Sequence, residues 1–179
     1  MSDPVERVAF ATAVDGGLAL GDPTGAHVLV TPTGLEHRAA ETAGPARAFA
    51  WADVHSVQVD APTSRSRRPG ALALLVGAAA ETIGLSWTPS LAAFTVTVDD
   101  GDGDVPLECD GYIGPGYWGP HLEALTSGLH LLVAHPETRG VLADPSRALT
   151  DLDAAADAPP EEVARRLAEA WRAPGAGEG

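Results

Sequence analysis

The stretch Ala48 to Asp60, Ala-Phe-Ala-Trp-Ala-Asp-Val-His-Ser-Val-Gln-Val-Asp, decides the fold of this protein. Most of its odd positions hold large apolar side chains, namely Phe49, Trp51, Val57 and Val59. Its even positions turn polar towards the end, and alternation of this kind is typical of a half-buried strand. The pattern predicts a turn around residues 51–54, then a strand over 54–59, with Phe49 and Trp51 in the core.

Short alternating segments separated by Gly, Pro and Asp lie on both sides of this stretch. Before it, the pattern predicts strands at Leu18–Leu20, His27–Thr31 and Leu35–Arg38, and residues 5–13 fit a first strand or a short helix. After it, the apolar run Leu72–Val76 favours a strand over the start of a helix. Residues 93–98 and 105–109 alternate around a Gly/Asp turn and predict a hairpin.

The C-terminal part of the protein has helical spacing. Residues 120–134 begin with a proline and carry an apolar stripe of Leu122, Leu125, Leu129, Leu132 and Val133. Short helical pieces and a linker are expected over 136–158, with the linker at 153–158, followed by a second helix over 159–173 and a disordered tail over 174–179. Strands followed by helices predict the α+β class, here a strongly bent antiparallel β-roll or barrel of about seven strands capped by the amphipathic helix.

Two runs in this order resemble bacterial pleckstrin-homology-like (PH-like) domains. They are His27–Arg38, with its Gly-Leu turn between strands, and Phe49–Val57, with the pattern Phe-x-Trp-x-Asp-Val-x-x-Val. The resemblance covers about residues 5–135. It implies a seven-stranded roll that serves as a binding or scaffolding platform, and it does not imply an enzyme.

The charge of the protein excludes several partners. There are 25 acidic residues against 11 basic ones, a net charge of −14. Nucleic acids and anionic membrane surfaces would be repelled, and phosphoinositide binding is disfavoured. Every basic residue is Arg, as is typical of proteins from high-GC bacteria, and the missing Lys excludes Schiff-base and Ser-Lys chemistry.

Little in the sequence points to a membrane, an oxidising compartment or a bound cofactor. The longest apolar run has about ten residues, too few to span a bilayer. The first residues carry acids where a signal peptide needs positive charge, so we expect a cytoplasmic protein. No cofactor is expected, since no motif in the sequence fits one. The single cysteine, Cys109, has the phase of a core strand residue, which predicts a buried and inert thiol.

An acidic run from Asp99 to Asp110 is the first candidate site. Asp100, Asp102 and Asp104 match three ligand positions of a calcium-binding EF-hand loop. The match fails further on, because Val105 stands where the loop needs Gly and Gly111 where it needs Glu. A solvated hairpin tip is the preferred interpretation, with weak cation binding left open.

Four further features could bind a partner. Gly114 to Gly119 matches G-x-G-x-x-G but lacks a βαβ setting, so a dinucleotide site is not expected. The aromatic residues around it, Tyr112, Tyr117 and Trp118, could form an exposed recognition patch. One loop carries Arg65, Arg67 and Arg68, and the paired N–H groups of an arginine guanidinium suit carboxylates and phosphates. The last helix has an apolar face that docks on its own domain or inserts into a partner; this face includes Val163, Leu167 and Trp171.

Two functions follow from these features. The first is a non-catalytic protein-interaction or scaffolding module whose partner is unknown and could be a second copy of the protein. The second is a small enzyme or small-ligand binder with a pocket at the open end of the roll, near residues 111–119.

Overall fold

A computed structural model of the protein describes residues 7–39, 47–65, 93–112 and 116–172. Within these residues the strands come first, most of them are antiparallel, and the helices follow. The predicted α+β class is confirmed. The strand expected at 72–76, the arginines Arg67 and Arg68, and the tail over 174–179 lie outside the described residues.

Six consecutive strands form one antiparallel sheet in the order of the sequence. They are β1 (Arg7–Val8), β2 (Ala11–Val14), β3 (Gly17–Leu20), β4 (His27–Val30), β5 (Gly34–Arg38) and β6 (Arg47–Ala50). An apolar row crosses the last five of them in register, through Ala13, Leu18, Val30, Leu35 and Phe49. The side chain of Phe49 thus ends a row that faces the core, as its phase predicts.

A second, antiparallel sheet contains β7 (Ser56–Asp60), β9 (Phe94–Asp99) and β10 (Asp104–Cys109), in the order β10-β9-β7. Two short strands, β8 (Thr63–Ser64) and β11 (Tyr117–Trp118), form a small parallel pair. The predicted hairpin is confirmed, with Val98 opposite Val105 and Phe94 opposite Cys109.

The stretch that links the two sheets behaves largely as its pattern predicts. The N–H of Asp53 donates to the carbonyl of Ala50 and closes a turn that begins at Trp51. Trp51 is buried, and its indole N–H donates to the carbonyl of Thr31 at 2.9 Å. The following strand starts at Ser56, two residues later than expected, and the N–H of His55 just before it donates to the carbonyl of Asp99 at 2.8 Å.

Hydrogen bonds also join the end of β10 to the first sheet. The N–H of Asp110 donates to the carbonyl of Ala26 at 2.7 Å, and the N–H of Ala26 donates to Oδ2 of Asp110 at 2.7 Å. Nε2 of His37 on β5 contacts the carbonyl of Glu108 at 3.0 Å, which requires the proton on that nitrogen. The two sheets are therefore tied together at this end of β10.

Four helical segments follow the strands in the described part of the protein. They are α1 (Gly119–Ala134), a 3₁₀ segment (Pro136–Ala143), α2 (Pro145–Ala156) and α3 (Pro160–Trp171). Helices are found where the pattern predicts them at 120–134 and 159–173, the second over Pro160–Trp171, with residue 173 outside the described residues. The linker expected to reach back to residue 153 is shorter, because helix α2 continues to Ala156.

Helix α1 contacts both the strands and the other helices. Its neighbours are β1, β7 and the small parallel pair of strands, together with α2 and α3, and α2 also contacts β1 and β2 directly. Only Glu123, His130 and Ala134 are exposed along its 16 residues. A helix with so few exposed residues needs apolar residues around most of its circumference, so α1 carries more than the single stripe expected of a capping helix.

The apolar face of α3 packs on its own domain. Val163, Leu167 and Trp171 are buried, and the ring of Trp171 packs against Gly128 of α1. This arrangement is the first of the two alternatives predicted for the helix. The interaction role expected of these three residues does not fit their position, because they form part of the core.

Candidate functional site

The three aromatic residues expected to form one exposed patch occupy different environments. Tyr117 lies in the core, where its ring meets Phe10 and Phe94 edge to face at centroid distances of 5.1 and 6.1 Å. Its burial raises the pKa of the phenol. Tyr117 therefore has a packing role, and only Tyr112 and Trp118 retain partly exposed rings.

The ring of Tyr112 is held in a fixed position. Its hydroxyl donates to the carbonyl of Gly21 at 2.9 Å and contacts Oγ1 of Thr12, also at 2.9 Å. The backbone N–H of Tyr112 donates to the hydroxyl oxygen of Tyr117 at 3.2 Å. These bonds tie the ring to the first sheet and to the core.

The guanidinium of Arg7 lies on the ring of Tyr112. The distance from the guanidinium carbon to the ring centroid is 3.3 Å, well inside the range of a cation–π interaction. Arg7 is exposed, and its backbone position is opposite Thr12, the residue that contacts the Tyr112 hydroxyl. Arg7 thus belongs to β1, and the ring of Tyr112 is tied through its hydroxyl to β2, the neighbouring strand.

A tight loop from Gly21 to Gly25 borders this stack. The carboxylate of Asp22 accepts hydrogen bonds from the N–H and the hydroxyl of Thr24 at 2.9 and 2.7 Å, which lowers the pKa of Asp22. The charges of Arg7 and His27 lower it further. Within the described part of the protein, however, no carboxylate comes within 4.0 Å of the Arg7 side chain.

Trp118 belongs to a second cluster, which sequence reasoning missed. Its ring meets the ring of His121 edge to face at 4.6 Å, and Nε2 of His121 lies 2.8 Å from Oδ1 of Asp153. The pair joins the first turn of α1 to α2 and is partly buried. His121 stood out in no motif, and Asp153 was expected in a linker, so only the packing of two helices shows the pair.

The basic cluster is described at one position only. Arg65 is exposed and directly follows β8, whose Ser64 is paired with Trp118. Arg65 therefore lies close to the beginning of α1. The predicted cluster of three arginines cannot be followed to Arg67 and Arg68, which lie outside the described residues.

The acidic hairpin tip uses its carboxylates to hold its own backbone. Oδ1 of Asp99 accepts from the N–H of Gly101 at 2.9 Å, and Oδ1 of Asp100 accepts from the N–H of Asp102 at 3.1 Å. No group of three or more His, Cys, Asp or Glu residues able to hold a metal is formed within the described ranges. The weak cation site considered for Asp100, Asp102 and Asp104 is thus not formed as a ligand cluster.

Cys109 is a core residue, as its strand phase predicts. The side chain is buried, and burial raises the pKa of the thiol to about 12. Since the thiolate is the reactive form, this cysteine is not poised as a nucleophile at neutral pH.

Among the described helices, none combines the length and the apolar character needed to cross a bilayer. No family model, curated protein or solved structure matches this protein. Its function must therefore be inferred from the residues themselves.

Proposed function

We propose that this protein is a non-catalytic protein-interaction module of the cytoplasm, built on a PH-like β-roll. Two features support the roll. The sheets follow each other along the sequence and are tied by the bonds of Asp110 with Ala26 and of His37 with Glu108. Helix α1 then follows the last strands and contacts elements of both sheets, the position that a capping helix takes in such a fold.

The observation that carries the proposal is the stack of Arg7 on Tyr112. An arginine and a tyrosine held rigidly at the surface are typical of the residues that dominate binding energy in protein interfaces. The ring lies in place before any partner arrives, so little side-chain entropy is lost on binding. The module therefore recognises its partner through the surface around Arg7, Tyr112 and the Gly21–Gly25 loop.

A pair of matched variants tests this function. Arg7 and Arg47 are both exposed and lie on the first and last strands of the same sheet, but only Arg7 has a ring beneath it in the described part of the protein. Tagged wild-type protein, Arg7→Gln and Arg47→Gln would each be used for capture from an extract of the source cells, followed by mass spectrometry.

We expect a protein retained by the wild type and by Arg47→Gln to be lost from Arg7→Gln. A second copy of the same protein is the first partner to test, by size-exclusion chromatography with light scattering over a range of concentrations. If all three proteins retain the same partners, or if none retains a protein and the wild type is monomeric, the proposal is wrong.

A small enzyme remains the second candidate, and the pair of His121 with Asp153 favours it. A carboxylate 2.8 Å from one imidazole nitrogen fixes the orientation of the ring, which is the arrangement of a general base. Trp118 lies against the same ring, close to the expected site at residues 111–119. A hydrolytic activity of this cluster would need His121 to take a proton from water or a hydroxyl.

An ester-hydrolysis assay separates the two candidates. If the cluster is catalytic, turnover of a p-nitrophenyl ester should exceed that of a heat-denatured control and fall with the substitution His121→Gln. If the pair only joins two helices, His121→Gln should lower the melting temperature without any activity to lose.

A further inference from the structure

We propose that Arg7, held on the ring of Tyr112, binds a single carboxylate of the partner, either that of an Asp or Glu residue or the C-terminal carboxylate of a polypeptide. The inference rests on the proposed interaction function and names the chemistry that its surface recognises.

The geometry of the stack leaves part of the guanidinium available to a ligand. At 3.3 Å from the ring centroid, the guanidinium carbon is in van der Waals contact with the ring. Stacking uses one face of the guanidinium and leaves its N–H edges available, because these edges lie in the plane of the group. Two parallel N–H groups of one edge match the two oxygens of a carboxylate.

Within the described residues, Arg7 forms no ion pair of the kind that other arginines form. In a protein with 25 acidic residues, several described arginines have a carboxylate at 3.0 Å or less, namely Arg38, Arg165 and Arg166. Arg7 has none within 4.0 Å among the described residues. Asp22 is near enough for its pKa to respond to Arg7, but it is bonded to Thr24.

The charge around Arg7 favours a carboxylate over a phosphate. A planar carboxylate can pair edge to edge with the guanidinium while the stack on Tyr112 stays intact. A phosphate carries up to two charges and would meet the repulsion of a protein of net charge −14, with Asp22 close by. The site is thus suited to one carboxylate in an otherwise neutral segment.

Nuclear magnetic resonance tests the site on the full-length protein. The Nε–H signal of Arg7 in a ¹⁵N spectrum would be followed during titration with sodium acetate, N-acetylglycine, N-acetylglutamic acid N-methylamide (blocked at its carboxyl end) or inorganic phosphate at pH 6.5. N-acetylglycine represents the C-terminus of a polypeptide, and the glutamate derivative represents an acidic residue within one. We expect a saturable shift at Arg7 with all three carboxylates, and none at Arg47.

Variants test the roles of the paired N–H groups of Arg7 and of the Tyr112 ring. Arg7→Lys keeps the charge but loses the paired donors, and we expect the Kd for acetate to rise about tenfold, followed at the lysine Nζ or at the amides of the Gly21–Gly25 loop. Tyr112→Phe keeps the ring but loses its anchoring bonds, so a smaller rise is expected. Tyr112→Leu should weaken acetate binding as much as Arg7→Lys. If Tyr112→Leu does not fold, the Kd of Arg7→Lys for acetate still tests the proposal.

The inference is overturned if Arg7 responds no more than Arg47, if Arg7→Lys binds acetate as well as the wild type, or if phosphate binds more tightly than acetate. These results are independent of the capture experiment. A protein partner lost from Arg7→Gln, together with no acetate response, would support the interaction module and refute only the carboxylate site.

Discussion

The indole ring of Trp171 packs against Gly128 of helix α1, and a Cβ atom at Gly128 would lie 2.7 Å from Cη2 of Trp171. The same Cβ would lie 3.2 Å from Cδ2 of Leu152, so two helices limit the space at this point. A glycine inside a helix costs roughly 0.5–1 kcal/mol relative to alanine, and here the loss permits close packing of three helices.

Substitution of this glycine should therefore destabilise the protein. We expect Gly128→Ala to lower the free energy of unfolding by roughly 1–3 kcal/mol, because a rigid buried ring must move. Gly140→Ala is the control, since its Cβ would meet nothing within 4 Å and its φ is not in the left-handed region. Urea unfolding of both variants measures the difference. A stabilised Gly128→Ala protein would show that Trp171 does not occupy this position.

Trp51 is expected to be among the positions of this protein most sensitive to substitution. It is buried, bonds to the carbonyl of Thr31, and lies 5.1 Å from the guanidinium carbon of Arg139. Trp51→Ala should cost roughly 3–5 kcal/mol of stability. Trp51→Phe should cost less, because it keeps most of the ring and loses the hydrogen bond. An unchanged melting temperature for Trp51→Ala would contradict a core role.

Asp151 should make the stability of the helical layer depend on pH. Burial raises the pKa of its carboxyl, whereas the guanidinium of Arg147 acts in the opposite direction from 3.8 Å. The indole N–H of Trp171 also acts to lower the pKa of Asp151, yet neither Oδ2 of Asp151 nor this N–H has a hydrogen-bond partner within the described ranges. Ionised Asp151 is thus incompletely compensated in the folded protein.

The sign of the pH effect follows from the raised pKa. The folded protein takes up the proton at a higher pH than the unfolded protein, whose carboxyl has the ordinary pKa of 3.8. Wild-type stability relative to Asp151→Asn should therefore increase as the pH falls from 7 towards 4. Thermal unfolding of both proteins across this range measures the difference. A difference in melting temperature that stays constant with pH would refute the prediction.

Cys109 should resist modification until the protein unfolds. Its pKa is raised from 9.0 to about 12, so almost no thiolate exists in the folded state at pH 8. We expect an aromatic disulfide reagent to react fully in guanidinium chloride and negligibly in buffer. The unfolded thiol ionises first, so native stability should fall as the pH rises above about 9, and Cys109→Ala should remove that part of the slope. Rapid labelling of the native protein would count against burial.

The sequence patterns predicted the elements that depend on local order. Alternation was sufficient for the hairpin of β9 and β10, because both strands and their turn lie within one short segment. The phase of Phe49 and Trp51 was sufficient to place them in the core, since a strand residue has only two faces to choose from. The predicted start of the linker at residue 153 was wrong, because the small side chains of residues 153–156 suit a loop as well as the buried end of a helix.

The candidate site depended on contacts that no local pattern contains. The contact of Arg7 with the ring of Tyr112 joins β1 to the segment after β10, and the pair of His121 with Asp153 joins α1 to α2. Tyr117 and Trp118 are adjacent in sequence, but one faces the core and the other is partly exposed. Such outcomes are set by the tertiary path of the backbone, which a single sequence leaves open.

The bonds between Ala26 and Asp110 also have a consequence for how the protein is made. These residues are separated by 84 positions, whereas the strands of the first sheet pair with their immediate neighbours. During synthesis the first sheet can assemble as soon as it leaves the ribosome, but the bonds at Ala26 must wait until Asp110 has emerged. We therefore expect the growing polypeptide to pass through a stage with an open sheet, at which it is most prone to associate with other polypeptides.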